Sequence, residues 1–116
     1  MVMADVSRRG YRVSLPHGHD SPYDMVVDRG TSLARVQVKH GARFKGSVVV
    51  KCKSARRKYT ASMVDWIAVY DGVTGRCFYV PSSMLGQGRS TISLRVEPTK
   101  NNQAYGVLWA DQFTEF

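Results

Sequence analysis

The most constraining feature of this sequence is a predicted β-hairpin in residues 23–39. An apolar segment that starts at Asp24 leads into a glycine-containing turn at residues 28–31, and an alternating segment with Gln37 and Lys39 follows. Because side chains alternate between the two faces of a strand, Gln37 and Lys39 are predicted to share one face. An antiparallel neighbour can bring Asp24 beside them. The hairpin therefore predicts a patch that holds a carboxylate, an amide and an ammonium group.

This combination of side chains has a known chemical use. Carboxylate and carbonyl oxygens are the ligands that hard divalent cations prefer. A metal ion held in this way can activate water and stabilise charge on a phosphate, and a nearby lysine can orient the water or neutralise the developing charge. Polar residues also alternate on many solvated strand faces, so the alternation by itself is equally typical of an ordinary surface strand.

The same residues resemble the PD-(D/E)XK nuclease signature. Asp24 is followed, after twelve residues, by Gln37-Val38-Lys39, and Gln37 stands where the signature usually has an acid. Six blocks resemble, in the same order, the branch of this superfamily that includes group I intron homing endonucleases: 10–16, 23–28, 35–39, 64–70, 78–81 and 101–103. The resemblance extends over about residues 8–113.

The resemblance implies an α/β (α+β) fold class: a small mixed β-sheet with flanking helices around a restriction-endonuclease-like core. A chain of 116 residues has the size of one domain, so we expect a single nuclease-like domain over residues 1–116. The resemblance also implies a Mg²⁺-dependent DNA endonuclease, with Mn²⁺ as a substitute. Asp24, Gln37 and Lys39 are then catalytic, and the metal ligands are Asp24, Gln37 and the backbone carbonyl of Val38.

The amino-terminal residues depart from the nuclease pattern. Relatives usually begin with a longer helix, which often bears a glutamate of the metal site. Gly10 is a predicted helix end, and too few residues precede it for that glutamate. Asp5 is the only acid there and is too close to Gly10 to replace it with confidence. We therefore expect a truncated first helix and a site that works without the glutamate, receives it from another chain, or is weakened by truncation.

The charge distribution favours a nucleic-acid partner. The net charge is +8, and ten of the seventeen Lys and Arg lie between Arg29 and Val64, where no acid occurs. A solvated surface normally mixes both signs, whereas a one-signed stretch is typical of phosphate contact. We predict that arginines contact base edges and lysines contact phosphates. The predicted nucleic-acid-binding residues are Arg43, Lys45, Lys51, Lys53, Arg56, Arg57 and Lys58.

The rest of the chain is predicted to form strands, turns and two short helical segments. Predicted strands cover 11–15, 46–53, 65–70, 77–80 and 90–96, and helical segments cover 81–85 and 108–113. His17, His19 and Asp20 could bind a metal, but further ligands are lacking, so a DNA-approaching loop is favoured. Asp28 is expected to initiate a turn, and Asp65 to cap or pair locally.

Several classes of protein are disfavoured by the sequence. No apolar run is long enough to span a bilayer, and the start of the chain lacks the apolar core of a secretory signal. Cys52 and Cys77 show no metal-ligand spacing and are expected to be reduced. These features predict an intracellular, cytoplasmic protein, and the resemblance to homing endonucleases implies a microbial, phage or intron-encoded origin.

Alternatives to a homing-type nuclease remain open at this stage. A Holliday-junction-resolving nuclease shares the same core, and a catalytically degenerate DNA-binding domain would explain both Gln37 and the absent glutamate. A basic β-rich RNA-binding module would need exposed aromatics on adjacent strands. Because cutting both strands of double-stranded DNA takes two active sites, a nuclease reading predicts a homo-oligomer, either a dimer or a tetramer.

Overall fold

A computed structural model of the chain describes residues 2–17, 21–51, 53–54, 57–58, 63–85, 91–97 and 108–116. One α-helix, α1 (Val2–Arg8), precedes nine strands. The strands are β1 (Arg12–Ser14), β2 (Met25–Asp28), β3 (Leu33–Phe44), β4 (Ser47–Lys51), β5 (Lys53–Ser54), β6 (Arg57–Lys58), β7 (Trp66–Asp71), β8 (Arg76–Pro81) and β9 (Thr91–Arg95). Two 3₁₀ segments cover Ser82–Leu85 and Ala110–Phe113.

The long strand β3 organises a seven-stranded mixed sheet. Residues 33–36 of β3 pair with β2 in antiparallel register, and residues 36–41 pair with β7 in parallel register. Residues 42–44 pair with β4 in antiparallel register. The strands β1 and β9 extend the sheet beside β2 and β4, and β8 pairs with β7. A second, two-stranded sheet joins β5 to β6. The expected mixed α+β fold is confirmed, and its first helix is short.

The two faces of the sheet cover separate hydrophobic cores. On one face α1 packs Val2 and Val6 against Val36 and Tyr79. On the other face Val48 and Val50 of β4 pack in one cluster with the apolar residues of β7 and β8. Alternation along β3 places Val36 with the first core, and so Gln37 and Lys39 project to the second face, as the sequence predicted.

The end of α1 follows directly from Gly10. Gly10 has a positive φ of 87°, which L-residues with a side chain rarely adopt. The Gly10 N–H donates to the Ser7 carbonyl at 3.0 Å, and the Tyr11 N–H donates to the Val6 carbonyl at 3.4 Å. This is the Schellman arrangement, which satisfies the last carbonyls of a helix. The predicted helix end is therefore confirmed.

The carboxy-terminal segment differs from the prediction. Residues 108–113 were expected to form a helix, but only a 3₁₀ turn forms at Ala110–Phe113, after a single parallel bridge between Trp109 and Arg95. Leu108 and Phe113 still pack against the core beneath β4. Apolar spacing alone does not distinguish a short helix from a 3₁₀ turn. Among the described residues, no helix is long and apolar enough to cross a membrane.

Candidate active site

Asp24 lies at the point where β2 meets the middle of β3. The Asp24 N–H donates to the Val36 carbonyl at 2.9 Å, immediately before the first residue pair of the two strands, Met25 with Val36. β2 begins at Met25, so the residues of β3 after Val36 do not pair with β2. The Val38 N–H therefore donates to the Asp24 carboxylate, at 2.8 Å from Oδ2, in place of a strand partner. The start of β2 thus positions the Asp24 side chain against β3.

Gln37 is fixed against the same carboxylate. Its side-chain Nε2 donates to Asp24 Oδ2 at 3.0 Å, and the residue is only 7% exposed. An amide nitrogen must face the carboxylate oxygen, because two acceptors cannot share a hydrogen bond. The carbonyl oxygen of Gln37 therefore points away from Asp24 Oδ2. Asp24 itself is exposed, so the pair joins a buried amide to a solvent-accessible carboxylate.

Val38 and Lys39 complete the neighbourhood that the sequence predicted. The N–H and the carbonyl of a strand residue point to the same side of the strand. The Val38 carbonyl therefore lies on the side of β3 that faces Asp24. Lys39 follows Gln37 on the same face, is partly exposed, and pairs in register with Val69 of β7. The fold thus brings Asp24, Gln37 and the Val38 backbone into contact, and Lys39 follows Gln37 on the same face of β3.

This donor set fits a hard divalent cation. The carboxylate of Asp24, the side-chain carbonyl of Gln37 and the backbone carbonyl of Val38 are all oxygen donors, the type that Mg²⁺ and Mn²⁺ prefer. In the part of the chain that is described, no group of three or more His, Cys, Asp and Glu residues lies close enough to hold a metal. Of the three proposed ligands only Asp24 is a carboxylate, so water or phosphate oxygens would complete the coordination of a cation. The Gln37 amide nitrogen, which lies 3.0 Å from Asp24 Oδ2 and 3.5 Å from the Val38 carbonyl, would have to turn away for the Gln37 carbonyl to bind the cation.

Arg35 and Asp65 form a rigid pair beside the candidate site. The Arg35 backbone N–H and Nε both donate to Asp65 Oδ2, at 2.7 and 3.1 Å, and Nη2 donates to Oδ1 at 3.0 Å. The Asp65 N–H returns a bond to the Arg35 carbonyl at 2.9 Å. The hydrogen bonds from Arg35 lower the pKa of Asp65 despite its partial burial. Asp65 was predicted to cap or pair locally, but it pairs with Arg35, thirty residues away in the sequence, because β7 lies beside β3.

Asp5 lies on the opposite face of the sheet from Gln37. Its carboxylate accepts a hydrogen bond from the Tyr79 hydroxyl and another from Arg9 Nε at 3.1 Å. Tyr79 is buried in the core under α1, and Arg9 stacks over its ring at 5.0 Å from the centroid. Burial, with the Asp5 carboxylate beside it, raises the pKa of Tyr79. Asp5 is thus occupied as a structural acid, which explains why it is a poor substitute for a metal-site glutamate.

The predicted nucleic-acid-binding residues fall into three groups. Arg43 donates through Nη2 to Asp71 Oδ2 at 2.9 Å and is partly exposed, whereas Lys45 and Lys51 are exposed. For Lys53, Arg57 and Lys58 the structure describes the backbone alone, as the short pairing of β5 with β6. Arg56, like His19 and Asp20 of the predicted loop and the block at 101–103, lies outside the described residues.

The short helix, the mixed sheet, and the acid that precedes β2 opposite a Gln-x-Lys segment on β3 define a nuclease of the restriction-endonuclease-like class. The chain belongs to the PD-(D/E)XK endonuclease family, whose model matches residues 1–116. Its fold is also similar to that of the bacterial homing endonuclease I-Ssp6803I, with a TM-score of 0.70 and 25% sequence identity. This similarity covers 88% of this chain and 72% of the other. No curated protein matches the sequence.

Proposed function

We propose that this protein is a metal-dependent endonuclease that hydrolyses phosphodiester bonds in double-stranded DNA. The observation that carries the proposal is the hydrogen-bonded cluster of Asp24, Gln37 and the Val38 backbone, next to Lys39 on the same strand. These residues resemble the nuclease signature, and the chain belongs to the PD-(D/E)XK endonuclease family. The net charge of +8 supports a polyanionic substrate.

Mg²⁺ is the proposed metal, with Mn²⁺ as a substitute. Asp24, through its carboxylate, and Gln37 and Val38, through their carbonyls, would hold it. When bound, the cation supplies an activated water and neutralises charge on the phosphate. One carboxylate gives weaker metal affinity than two. We therefore expect cleavage to need a higher concentration of free Mg²⁺ than it would with a second acid at position 37.

The protein residues have separate roles in this proposal. Asp24 is held by the Val38 N–H and the Gln37 amide, so its carboxylate is oriented before any ligand arrives. The Gln37 amide nitrogen holds that carboxylate, and a rotation of the side-chain amide would bring the Gln37 carbonyl to a cation beside Asp24. Lys39 donates a hydrogen bond from its ammonium group to the attacking water or to the phosphate oxygens, where charge builds up in the transition state. Lys45 and Lys51, both exposed, contact phosphates further along the duplex.

The homing type of endonuclease is our preferred subtype. The similarity to a bacterial homing endonuclease supports it. Cleavage of both strands by one type of site implies a homo-oligomer, a dimer or a tetramer, in which residues 1–116 form a single domain. A junction-resolving nuclease is the second candidate within the same chemistry; preferential binding of four-way junctions over linear duplex would favour it. We propose a cytoplasmic location, where DNA is accessible.

A plasmid assay tests this function. Supercoiled plasmid is incubated with the protein in Mg²⁺, in Mn²⁺ and in a chelator, and nicked and linear products are measured. We expect cleavage with either metal, none with the chelator, and none for Asp24→Ala under any condition. Asp111→Ala is the matched control, because Asp111 is an exposed acid that pairs only with Arg76 among the described residues. Full cleavage by Asp24→Ala would refute the site, and binding of plasmid without cleavage would favour a degenerate DNA-binding domain.

A further inference from the structure

The hairpin between β3 and β4 presents an exposed aromatic ring at its tip. Phe44 is 62% exposed, and the ammonium of Lys45 lies 5.4 Å from the centroid of its ring. Phe44 pairs with Ser47, so the turn consists of Lys45 and Gly46 alone. Both have positive φ, 48° for Lys45 and 80° for Gly46. Such primed turns suit Asn-Gly or Gly-Gly, and a lysine in the left-handed region is strained.

The turn is held from the side by β9 and the residues that follow it. Arg95 Nη1 donates to the Lys45 carbonyl at 2.8 Å, and Arg95 Nε donates to the Glu97 carbonyl at 2.7 Å. The Gly46 carbonyl accepts from the N–H groups of Val96 and Glu97 at 3.0 and 3.2 Å. Both carbonyls of the turn are thus bound. These hydrogen bonds hold the backbone of the turn, which carries the exposed Phe44 side chain at the tip of the hairpin.

The charges around the ring are mainly positive. Lys45 is exposed beside it, and Arg95 lies under the turn. The Glu97 carboxylate lies near Gly46 and Arg95, and Asp71 is paired with Arg43. An exposed ring next to an exposed cation suits a ligand that carries both negative charge and flat apolar surfaces. Nucleic acid has both, in its phosphates and its bases.

We propose that Phe44 is a wedge that contacts the bases of bound DNA, while Lys45 holds the adjacent phosphate. This inference rests on the proposed function and adds a DNA-deforming residue to it. Apolar side chains such as Phe partly unstack a base step and kink the duplex when they insert from a groove. Phe44 would act in the same way, at a position remote from the cleavage chemistry.

The strand β3 sets the separation between the wedge and the candidate active site. Phe44 lies five residues beyond Lys39 on one continuous strand, which is at most about 17 Å, or about five base pairs of duplex. Alternation puts the two side chains on opposite faces of β3. The last pair of β3 with β7 is Gly41 with Asp71, so Phe44 extends past the end of β7. A duplex that contacts both residues has to pass around the tip of the hairpin, and this path suits a duplex that is kinked at Phe44.

Plasmid unwinding tests the wedge without knowledge of the target sequence. The cleavage-defective Asp24→Ala protein is bound to relaxed plasmid, a metal-independent topoisomerase I is added, and the linking number is measured after the protein is removed. We expect a change in linking number that grows with bound protein. Adding Phe44→Ala should abolish the change at equal DNA occupancy and weaken binding about tenfold, the loss that one aromatic–base contact gives. Phe44→Trp should restore the change.

The matched control is Val73→Ala in the same background, because Val73 is 70% exposed in the neighbouring β7–β8 turn. It should leave unwinding and binding unchanged. An equal change in linking number with and without Phe44, or no change when the parent protein is bound, overturns the wedge but leaves the proposed nuclease intact. A shift in sedimenting mass for Phe44→Ala, with normal unwinding, assigns the ring to a contact between protein copies. Failure of the parent protein to bind plasmid refutes both proposals.

Discussion

The Gln37 side-chain amide donates to Asp24 Oδ2 at 3.0 Å, so the two side chains of the candidate active site are linked directly. A glutamate at position 37 could not make this bond when ionised, since it offers only acceptors. Two adjacent carboxylates repel each other and depend on a cation or a proton to remain together. Glutamine at this position therefore holds the Asp24 carboxylate without adding a second negative charge beside it.

Gln37→Glu should make the stability of the protein depend on metal. We expect a lower melting temperature without divalent ions, because the new carboxylate faces Asp24, and a larger rise on addition of Mg²⁺ than the original protein shows. The repulsion should raise the pKa of one carboxylate of the pair, so the destabilisation should shrink as the pH is lowered towards acid. Thermal unfolding with and without Mg²⁺ at several pH values measures both effects.

Gln112→Glu is the control for this substitution, because Gln112 is exposed and the amide-to-acid change is the same. It should leave the Mg²⁺ dependence unaltered. If Gln37→Glu behaves like Gln112→Glu, position 37 does not contribute to a metal site.

Lys39→Ala should lower the rate of cleavage while leaving DNA binding largely intact. Removing a group that stabilises developing charge costs about 10²–10³-fold in rate in other enzymes, and we expect a loss of this size. Rates are measured on supercoiled plasmid at saturating protein, and binding is measured separately in Ca²⁺. A proportional loss of binding and cleavage would instead make Lys39 a phosphate-contacting residue.

The hairpin at residues 23–39 was predictable because the residues that determine its strands and its turn lie close together in the sequence. Strand alternation fixed which side chains of β3 share a face, and the predicted turn was recognisable from Gly30 and from Asp28, whose side chain accepts the Gly30 N–H at 2.9 Å. The family motif selected Asp24 from the other acids. The parallel pairing of β3 with β7 and the short form of the last segment needed the tertiary structure.

The ion pairs were not predictable from the sequence. Arg35 pairs with Asp65, thirty residues away, and Arg43 with Asp71, twenty-eight residues away, through the parallel register of β3 and β7. The sequence predicted Arg43 only as a DNA contact, since its strand is basic. A run of basic residues does not show which of them forms an ion pair with an acid on a distant strand. Phe44 was missed because only its exposure in the folded protein distinguishes it from a core residue.

Asp71 should make an acid-sensitive contribution to stability. It is 1% exposed and accepts hydrogen bonds from Arg43, Thr74 and the Val73 N–H, which lower its pKa to about 2. A lowered carboxyl pKa stabilises the folded protein above the unfolded pKa of 3.8 and loses this effect as the pH falls through about 2. The shift corresponds to about 2 kcal/mol. Asp71→Ala also removes the acceptor of the Thr74 hydroxyl and of the Val73 N–H, so it should be strongly destabilising at neutral pH.

Urea unfolding of the original protein and of Asp71→Asn between pH 7 and pH 2 measures this contribution. The difference in free energy of unfolding should be constant above about pH 4 and shrink below it. Asp111→Asn, at an exposed pair with Arg76, should change stability little at any pH. A pH-independent difference for Asp71→Asn would show that its hydrogen bonds, and not its charge, stabilise the hairpin.

Asp5→Ala should destabilise the protein without affecting the chemistry of cleavage. The substitution leaves the buried Tyr79 hydroxyl without its acceptor and removes the carboxylate that binds Arg9, which together cost about 1–3 kcal/mol. Tyr79→Phe removes the same hydroxyl bond and should be less harmful, because no buried donor remains. Both variants should cleave plasmid at the original rate at temperatures where they stay folded, because the sheet separates Asp5 from Gln37. A folded Asp5→Ala protein that no longer cleaves, while Tyr79→Phe does, would instead place Asp5 in the metal site as the missing acid.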